Sequence, residues 1–228
     1  MKTKEKDTMP LAHRIYLIRH GDVDVASQIC YGQLDVNVAD SFHSDLSRLV
    51  NYIQTSLTSD SSESASTPLI MTSPLSRCSL LAKGLKSKLK QLPLAIETEL
   101  QTNEALKEIN FGLWEGKSWD SIGKEEIENW NNELLDYTFP EGESSRDFDC
   151  RVIREWNAII DQLAEKTQSQ TVILIAHAGV IRSILSAFLN IPLQHSLSLQ
   201  IDKMSCSQLR IIPQFASLSR CLNVNTTI

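Results

Sequence analysis

Short, continuous apolar runs alternate along the chain with longer segments in which apolar residues recur every three or four positions. The continuous runs read as buried strands. They are Ile15-Tyr16-Leu17-Ile18, Leu69-Ile70-Met71, Leu94-Ala95-Ile96-Glu97-Thr98 and Val172-Ile173-Leu174-Ile175-Ala176, with Ser205 to Ile211 as a final strand. Helical spacing of Phe42, Leu46, Leu49, Val50, Ile53 and Leu57 predicts a helix from about Val38 to Leu57. A second helix is expected to open at Pro74 with Ser73 as its N-cap, and a third to run from Trp119 to about Leu135. A fourth, from Ser145 to Glu165, carries the stripe Phe148, Val152, Trp156, Ile159, Ile160 and Leu163, with Ser144 or Ser145 as cap. A last one runs from Gly179 to about Leu189. Strands that alternate with helices predict an α/β fold, a three-layer sandwich with a mainly parallel central sheet.

Composition narrows the class. The 228 residues are 42% hydrophobic and 22% charged, which suits a globular chain. The net charge of −6 gives no overall basic surface for nucleic acid, and no run approaches the roughly 18 apolar residues of a membrane helix. Five scattered cysteines, none in a CxxC pair, disfavour a disulfide framework or a zinc site and fit a reducing cytoplasm. Residues 1–12 are expected to be a disordered tail, since the charged start is followed by no apolar signal core. The remainder, 13–228, reads as a single domain with inserted cap segments around 100–145, and the Ser-rich stretch 58–67 as a flexible surface loop.

The polar residues that end the strands carry the chemistry. Parallel strands would bring Arg19 and His20, Arg77 in the first turn after Ser73, and His177 to one sheet edge, where α/β proteins place their sites. A lone histidine there is most simply a surface residue; two histidines with two arginines are a different matter. Arginines beside histidines oppose a metal and suit a phosphoryl group, whose oxygens match the guanidinium fork. In such a pocket His20 could act as nucleophile, provided its other ring nitrogen is held by a backbone acceptor. The leaving oxygen needs a proton, for which Glu108 is the first candidate and Glu115 the second, with burial expected to favour the protonated acid. Gly112 to Ser118 imitates a phosphate-binding loop but has three residues between its glycines where four are needed. The Trp114, Trp119 and Trp130 series reads as packing, His13, His43 and His195 as surface residues, and Arg182 as the partner of a carboxylate on the protein.

Arg19-His20-Gly21, Thr72-Ser73-Pro74-Leu75-Ser76-Arg77, Glu108 ahead of Phe111-Gly112-Leu113-Trp114-Glu115-Gly116, and Ala176-His177-Ala178-Gly179 together resemble the histidine phosphatase superfamily in their chain order. The resemblance implies the phosphoglycerate-mutase-like fold, a phosphohistidine on His20, and Arg19, Arg77 and His177 gripping the phosphoryl oxygens. Glu108 would be the acid and then the base for water, with no metal or other cofactor. Gly21, Tyr31, Gln33, Trp114 and Ala178 are the expected substrate contacts, and Gly21 would let the backbone turn so that the imidazole faces phosphorus. The partner implied is a small-molecule phosphomonoester, with neither nucleic acid nor membrane; oligomeric state is not legible.

Within the superfamily, Asp24-Val25-Ala26, Ile29-Cys30-Tyr31-Gly32-Gln33, Ser76-Arg77-Cys78 and Glu141-Gly142-Glu143-Ser144 are most similar to the alpha-ribazole phosphatase branch, which would place the reaction in cobalamin biosynthesis. A sugar phosphate phosphatase, a phosphoglycerate mutase and a non-catalytic phospho-ligand module are the alternatives. Two features depart from the family pattern. Val23 to Ala26 stand where many members carry a phosphate-binding Asn, and Glu141 stands where the usual turn has glycine, a residue that tolerates positive φ better.

Overall fold

The computed structural model describes residues 10–58 and 66–228. The expected tail lies outside the described residues except for residues 10–12, and so does most of the Ser-rich loop. Six strands form one sheet: β1 (His13–Arg19), β2 (Leu69–Thr72), β3 (Glu99–Thr102), β4 (Thr171–Ala176), β5 (Ser205–Ile211) and β6 (Arg220–Thr227), in the order β3-β2-β4-β1-β5-β6. β3, β2, β4 and β1 pair in parallel, whereas β5 is antiparallel to both β1 and β6. The fold is the mainly parallel α/β sandwich.

Its three layers follow from the two-residue period of the strands. Ile15 and Leu17 of β1, with Val172 and Leu174 of β4, face helices α5 (Ser145–Ala164) and α6 (Ala178–Leu189). Tyr16 and Ile18, with Ile173 and Ile175, face α1 (Phe42–Thr58) and α2 (Ser76–Lys90). Both faces of the central strands are therefore apolar, which is why β4 reads as one unbroken hydrophobic run. The Ser144 hydroxyl caps α5 by accepting from the Asp147 N–H at 3.0 Å.

Four element assignments change. The third strand is Glu99–Thr102 and not Leu94–Thr98, and Leu94 is 73% exposed. β3 is an edge strand whose pairing to β2 sets its place, so its polar sequence carries no apolar signal. α2 starts at Ser76 because the Ser73 hydroxyl is engaged elsewhere, and Leu75 is its N-cap without a side-chain bond. The helical run from Trp119 is split by Gly123, at φ 101°, into α3 (Trp119–Ile122) and α4 (Lys124–Asn132). β6 went unread because its apolar residues Leu222 and Val224 are exposed while Asn223 and Asn225 are partly covered. His13, which its sequence context predicts to lie on the surface, is buried, and its Nδ1 accepts the Gln170 N–H at 3.2 Å.

A third apolar cluster, centred on Cys30, Trp114 and Phe139 with Phe111, Trp119 and Trp130 against it, sits apart from the two sheet faces. Among the described residues, no helix is long and apolar enough to cross a membrane.

Candidate active site

Three adjacent strands deliver their ends to one edge. Arg19 is in register with Ala176, the His20 N–H donates to the Ala176 carbonyl at 3.1 Å, and the Ser73 N–H donates to the Ile175 carbonyl at 3.2 Å. His20, Arg77 and His177 are thereby brought together in the interior, at 3%, 2% and 1% exposure. The two imidazoles meet edge to face with centroids 5.2 Å apart.

Their hydrogen bonds assign the ring protons. His20 Nδ1 lies 2.8 Å from the Gly21 carbonyl oxygen, which can only accept, so Nδ1 carries the proton and Nε2 keeps its lone pair. Burial, reinforced by the Arg77 charge, pushes His20 down to about 3. His177 Nδ1 accepts the Arg77 Nε–H at 3.3 Å, and its Nε2–H donates to the Ser73 hydroxyl at 2.8 Å. Burial and then the neighbouring His20 hold His177 well below the usual histidine range. Both rings are neutral at pH 7. Cys78 Sγ lies 3.6 Å from His177 Nε2, but burial pushes its thiol up and keeps it a neutral packing partner.

Arg77 is anchored from several sides. Besides His177 it donates to the Leu34 carbonyl at 3.0 Å and the Gly32 carbonyl at 2.6 Å, and its guanidinium lies 5.4 Å from the Tyr31 ring centroid. Asp35 holds the same loop down: one carboxylate oxygen accepts the Ser76 N–H and the other the Ser76 hydroxyl, each at 2.7 Å. Asp35 thus supplies from a distant loop the N-terminal acceptor that Leu75 cannot. Arg19 Nη1 donates to the Ile201 carbonyl at 2.6 Å, and Arg182 Nε to the Leu199 carbonyl at 2.9 Å. Arg182 therefore departs from expectation. One turn into α6, it bonds a backbone carbonyl instead of a carboxylate and faces the same edge as His20.

The Glu108 side chain reaches this edge from the loop after β3. Its Oε2 accepts the Gly179 N–H at the start of α6 at 3.1 Å, and its Oε1 the Ile109 N–H at 3.2 Å. A Cβ at position 179 would stand 2.3 Å from Glu108 Oε1, so the approach requires glycine. The loop is clamped from behind by Arg151, which donates to the carbonyls of Ala105, Lys107 and Glu108 and pairs with Glu143 at 2.7 Å. Glu143 in turn accepts the Asn110 N–H at 2.9 Å. Sequence pattern marks Glu143 only as part of its turn motif and does not mark Arg151, because their bonds go to backbone atoms about 33–46 residues away or to each other across a turn. Glu115, the second acid candidate, is a clasp: its Oε1 accepts the N–H groups of Gln33 and Phe111 at 2.7 and 3.0 Å.

Arg19, His20, Arg77, Glu108 and Arg182 line one cavity of about 400 Å³. Of the expected substrate contacts, Tyr31 lines it, whereas Gly21, Gln33, Trp114 and Ala178 do not. Gln33 instead donates to the Glu108 carbonyl at 3.1 Å. Trp114 is 3% exposed and packs against Phe139, centroids 4.9 Å apart. The tryptophans that reach the cavity are Trp119 and Trp130, two members of the series read as packing. Gly21 has a reason other than a turn: a Cβ there would lie 2.3 Å from the carboxylate of buried Asp45. His177 does not line the cavity but stands behind Arg77. Val23 bridges to Val38, and it is Ser27 that lines the cavity from that segment. No group of three His, Cys, Asp or Glu side chains placed to hold a metal occurs among the described residues.

Residues 15–223 match the family described as Histidine phosphatase superfamily (branch 1). The chain is 28% identical over 158 residues to adenosylcobalamin/alpha-ribazole phosphatase of Escherichia coli strain K12, covering 68% of this chain and 72% of that protein. A Hydrogenobacter thermophilus protein with the provisional name phosphoserine phosphatase 2 is 24% identical over 202 residues, 87% of this chain and 89% of its own. The solved alpha-ribazole phosphatase of Shigella flexneri is alike in fold, with a TM-score of 0.72 at 22% identity, covering 93% of this chain and 96% of that one.

Proposed function

The chain belongs to the histidine phosphatase superfamily, and from that premise we propose that it hydrolyses small-molecule phosphomonoesters through a phosphohistidine on His20. One observation carries the reading: a buried imidazole, its Nδ1–H committed to the Gly21 carbonyl, lines a cavity shared with three arginines and one carboxylate. The Nε2 lone pair attacks phosphorus, the ester P–O bond breaks, and the leaving oxygen takes a proton from Glu108. Glu108, now a carboxylate, removes a proton from water; the water oxygen attacks phosphorus, and the P–N bond returns its pair to Nε2. Arg19 and Arg77 neutralise charge on the transferred oxygens. His177 acts through Arg77, whose Nε–H it accepts, and fixes the direction of that guanidinium. Arg182 adds a cation beside Glu108.

For the substrate itself we put forward alpha-ribazole phosphate. The motif resemblance and the E. coli relative named for that activity support it. The five free cysteines suit a cytoplasmic setting for such a pathway. Rapid quench with a radiolabelled phosphomonoester is expected to trap an acid-labile phosphoenzyme that His20→Ala abolishes. Undiminished turnover by His20→Ala would overturn the mechanism.

A further inference from the structure

Among the described residues, the charged side chains lining the cavity, Arg19, Arg77, Glu108 and Arg182, belong with the neutral His20 to the phosphate-handling edge. Much of the remaining wall is apolar: Ile29, Phe111, Trp119, Trp130, Leu134 and Leu197 line it, and among the described residues no lysine, further arginine or further carboxylate does. The other polar side-chain groups there are the hydroxyls of Tyr31 and four serines and the indole N–H groups of Trp119 and Trp130. Trp119 and Trp130 lie nearly parallel, 12° apart with centroids separated by 6.1 Å. Phe111 stands edge-on to both, at 6.0 and 6.5 Å, and so braces the aromatic wall. Its volume, about 400 Å³, lies within the range of sites that enclose a whole small organic molecule.

We infer that this wall is a leaving-group subsite, with Trp119 and Trp130 as its specificity-determining residues, and that it selects phosphate esters of neutral alcohols bearing a flat apolar body. The inference rests on the phosphatase reading and adds the substrate class. A carboxylate on the leaving group would have to enter an apolar wall with no cation to receive it, at the full cost of its desolvation. A planar apolar group would instead displace water from the indole faces, and hydroxyl groups along its edge would find the serines. Esters of hydroxy acids, such as phosphoserine and the phosphoglycerates, are therefore disfavoured.

The test compares naphthylethyl phosphate with O-phosphoserine, both esters of primary alcohols, so that the wall and not the leaving oxygen sets the difference. The wild-type enzyme is expected to prefer the naphthyl ester in kcat/KM by at least a hundredfold. Trp119→Ala and Trp130→Ala should each lose roughly tenfold on that ester and under threefold on O-phosphoserine. Leu197 is 59% exposed, so Leu197→Lys places a cation on the wall without opening the core, and should raise turnover of O-phosphoserine at the expense of the naphthyl ester. Preference for O-phosphoserine in the wild type, or equal losses on both esters in the tryptophan variants, would overturn the subsite. Binding of the matching non-hydrolysable phosphonate, measured by calorimetry, separates the two readings. Tryptophan-dependent binding without hydrolysis of any ester would remove the phosphatase reading and leave the subsite. Hydrolysis without discrimination would do the reverse.

Discussion

Glu108 illustrates how the place of a single carboxyl can be set by something other than burial. Burial was expected to make it an acid; the structure shows instead a carboxyl held at two points by backbone N–H groups, Gly179 and Ile109. Those bonds fix where its oxygens lie, beside His20 and Arg182 in one cavity. If the proton it delivers goes to the departing oxygen, the value of that proton depends on how poor the leaving group is. Glu108→Gln keeps an acceptor for one of the N–H groups but has no acidic proton to give. It should therefore cut kcat/KM on an alkyl phosphate by about 10²–10⁴ and on an activated nitrophenyl phosphate by less than tenfold. Equal losses on the two esters would remove the acid role. The clamp behind Glu108, formed by Arg151 and Glu143, was invisible in the sequence for a physical reason: a guanidinium that binds backbone carbonyls leaves no pattern in the residues it serves.

Among the elements, the strands that build the site were the most legible part, because β1, β2 and β4 are covered on both faces and must be apolar throughout. The edge strands β3 and β6 were not, since half-exposed backbone pairing places little demand on side chains. The start of α2 was misread because its cap comes from Asp35, about 40 residues earlier, while Ser73 serves His177. The turn after Phe139 yields a test. Glu141 adopts φ 57° there, so the turn keeps the left-handed backbone that glycine would take freely. Gly142 must be glycine, as its Cβ would stand 2.4 Å from the Asn110 carbonyl oxygen, but Glu141 is exposed and need not be glutamate. Releasing left-handed strain returns about 1–2 kcal/mol, and the freer unfolded chain takes back about 0.4–1. Glu141→Gly should therefore stabilise the fold by about 0.5–1 kcal/mol, seen as a higher urea midpoint at unchanged slope. A lower midpoint would show that the turn is not strained at Glu141.

For the molecule as a whole, burying neutral histidines in the interior has a consequence for stability. His20, His177 and His13 are all held below the ordinary value of 6.5, in each case chiefly by burial. Above pH 6.5 these histidines are neutral both folded and unfolded, and they contribute no slope. Below it the unfolded chain takes up protons that the folded chain refuses, so stability falls with pH, and for His20 the fall continues to about pH 3. Each refused proton contributes a slope of about 1.4 kcal/mol per pH unit. Urea unfolding between pH 6.5 and 5 should thus show stability declining steeply, and His177→Gln should flatten the decline by about one proton. A bound phosphate works in the opposite direction, because an anion beside the His20 imidazole favours its charged form. Inorganic phosphate should accordingly stabilise the protein more at pH 5.5 than at pH 7.5, by more than its own protonation accounts for, and this excess should disappear in His20→Ala. An equal phosphate effect at both pH values would mean that the anion does not sit against the His20 imidazole, and would move the phosphate site away from the end of β1.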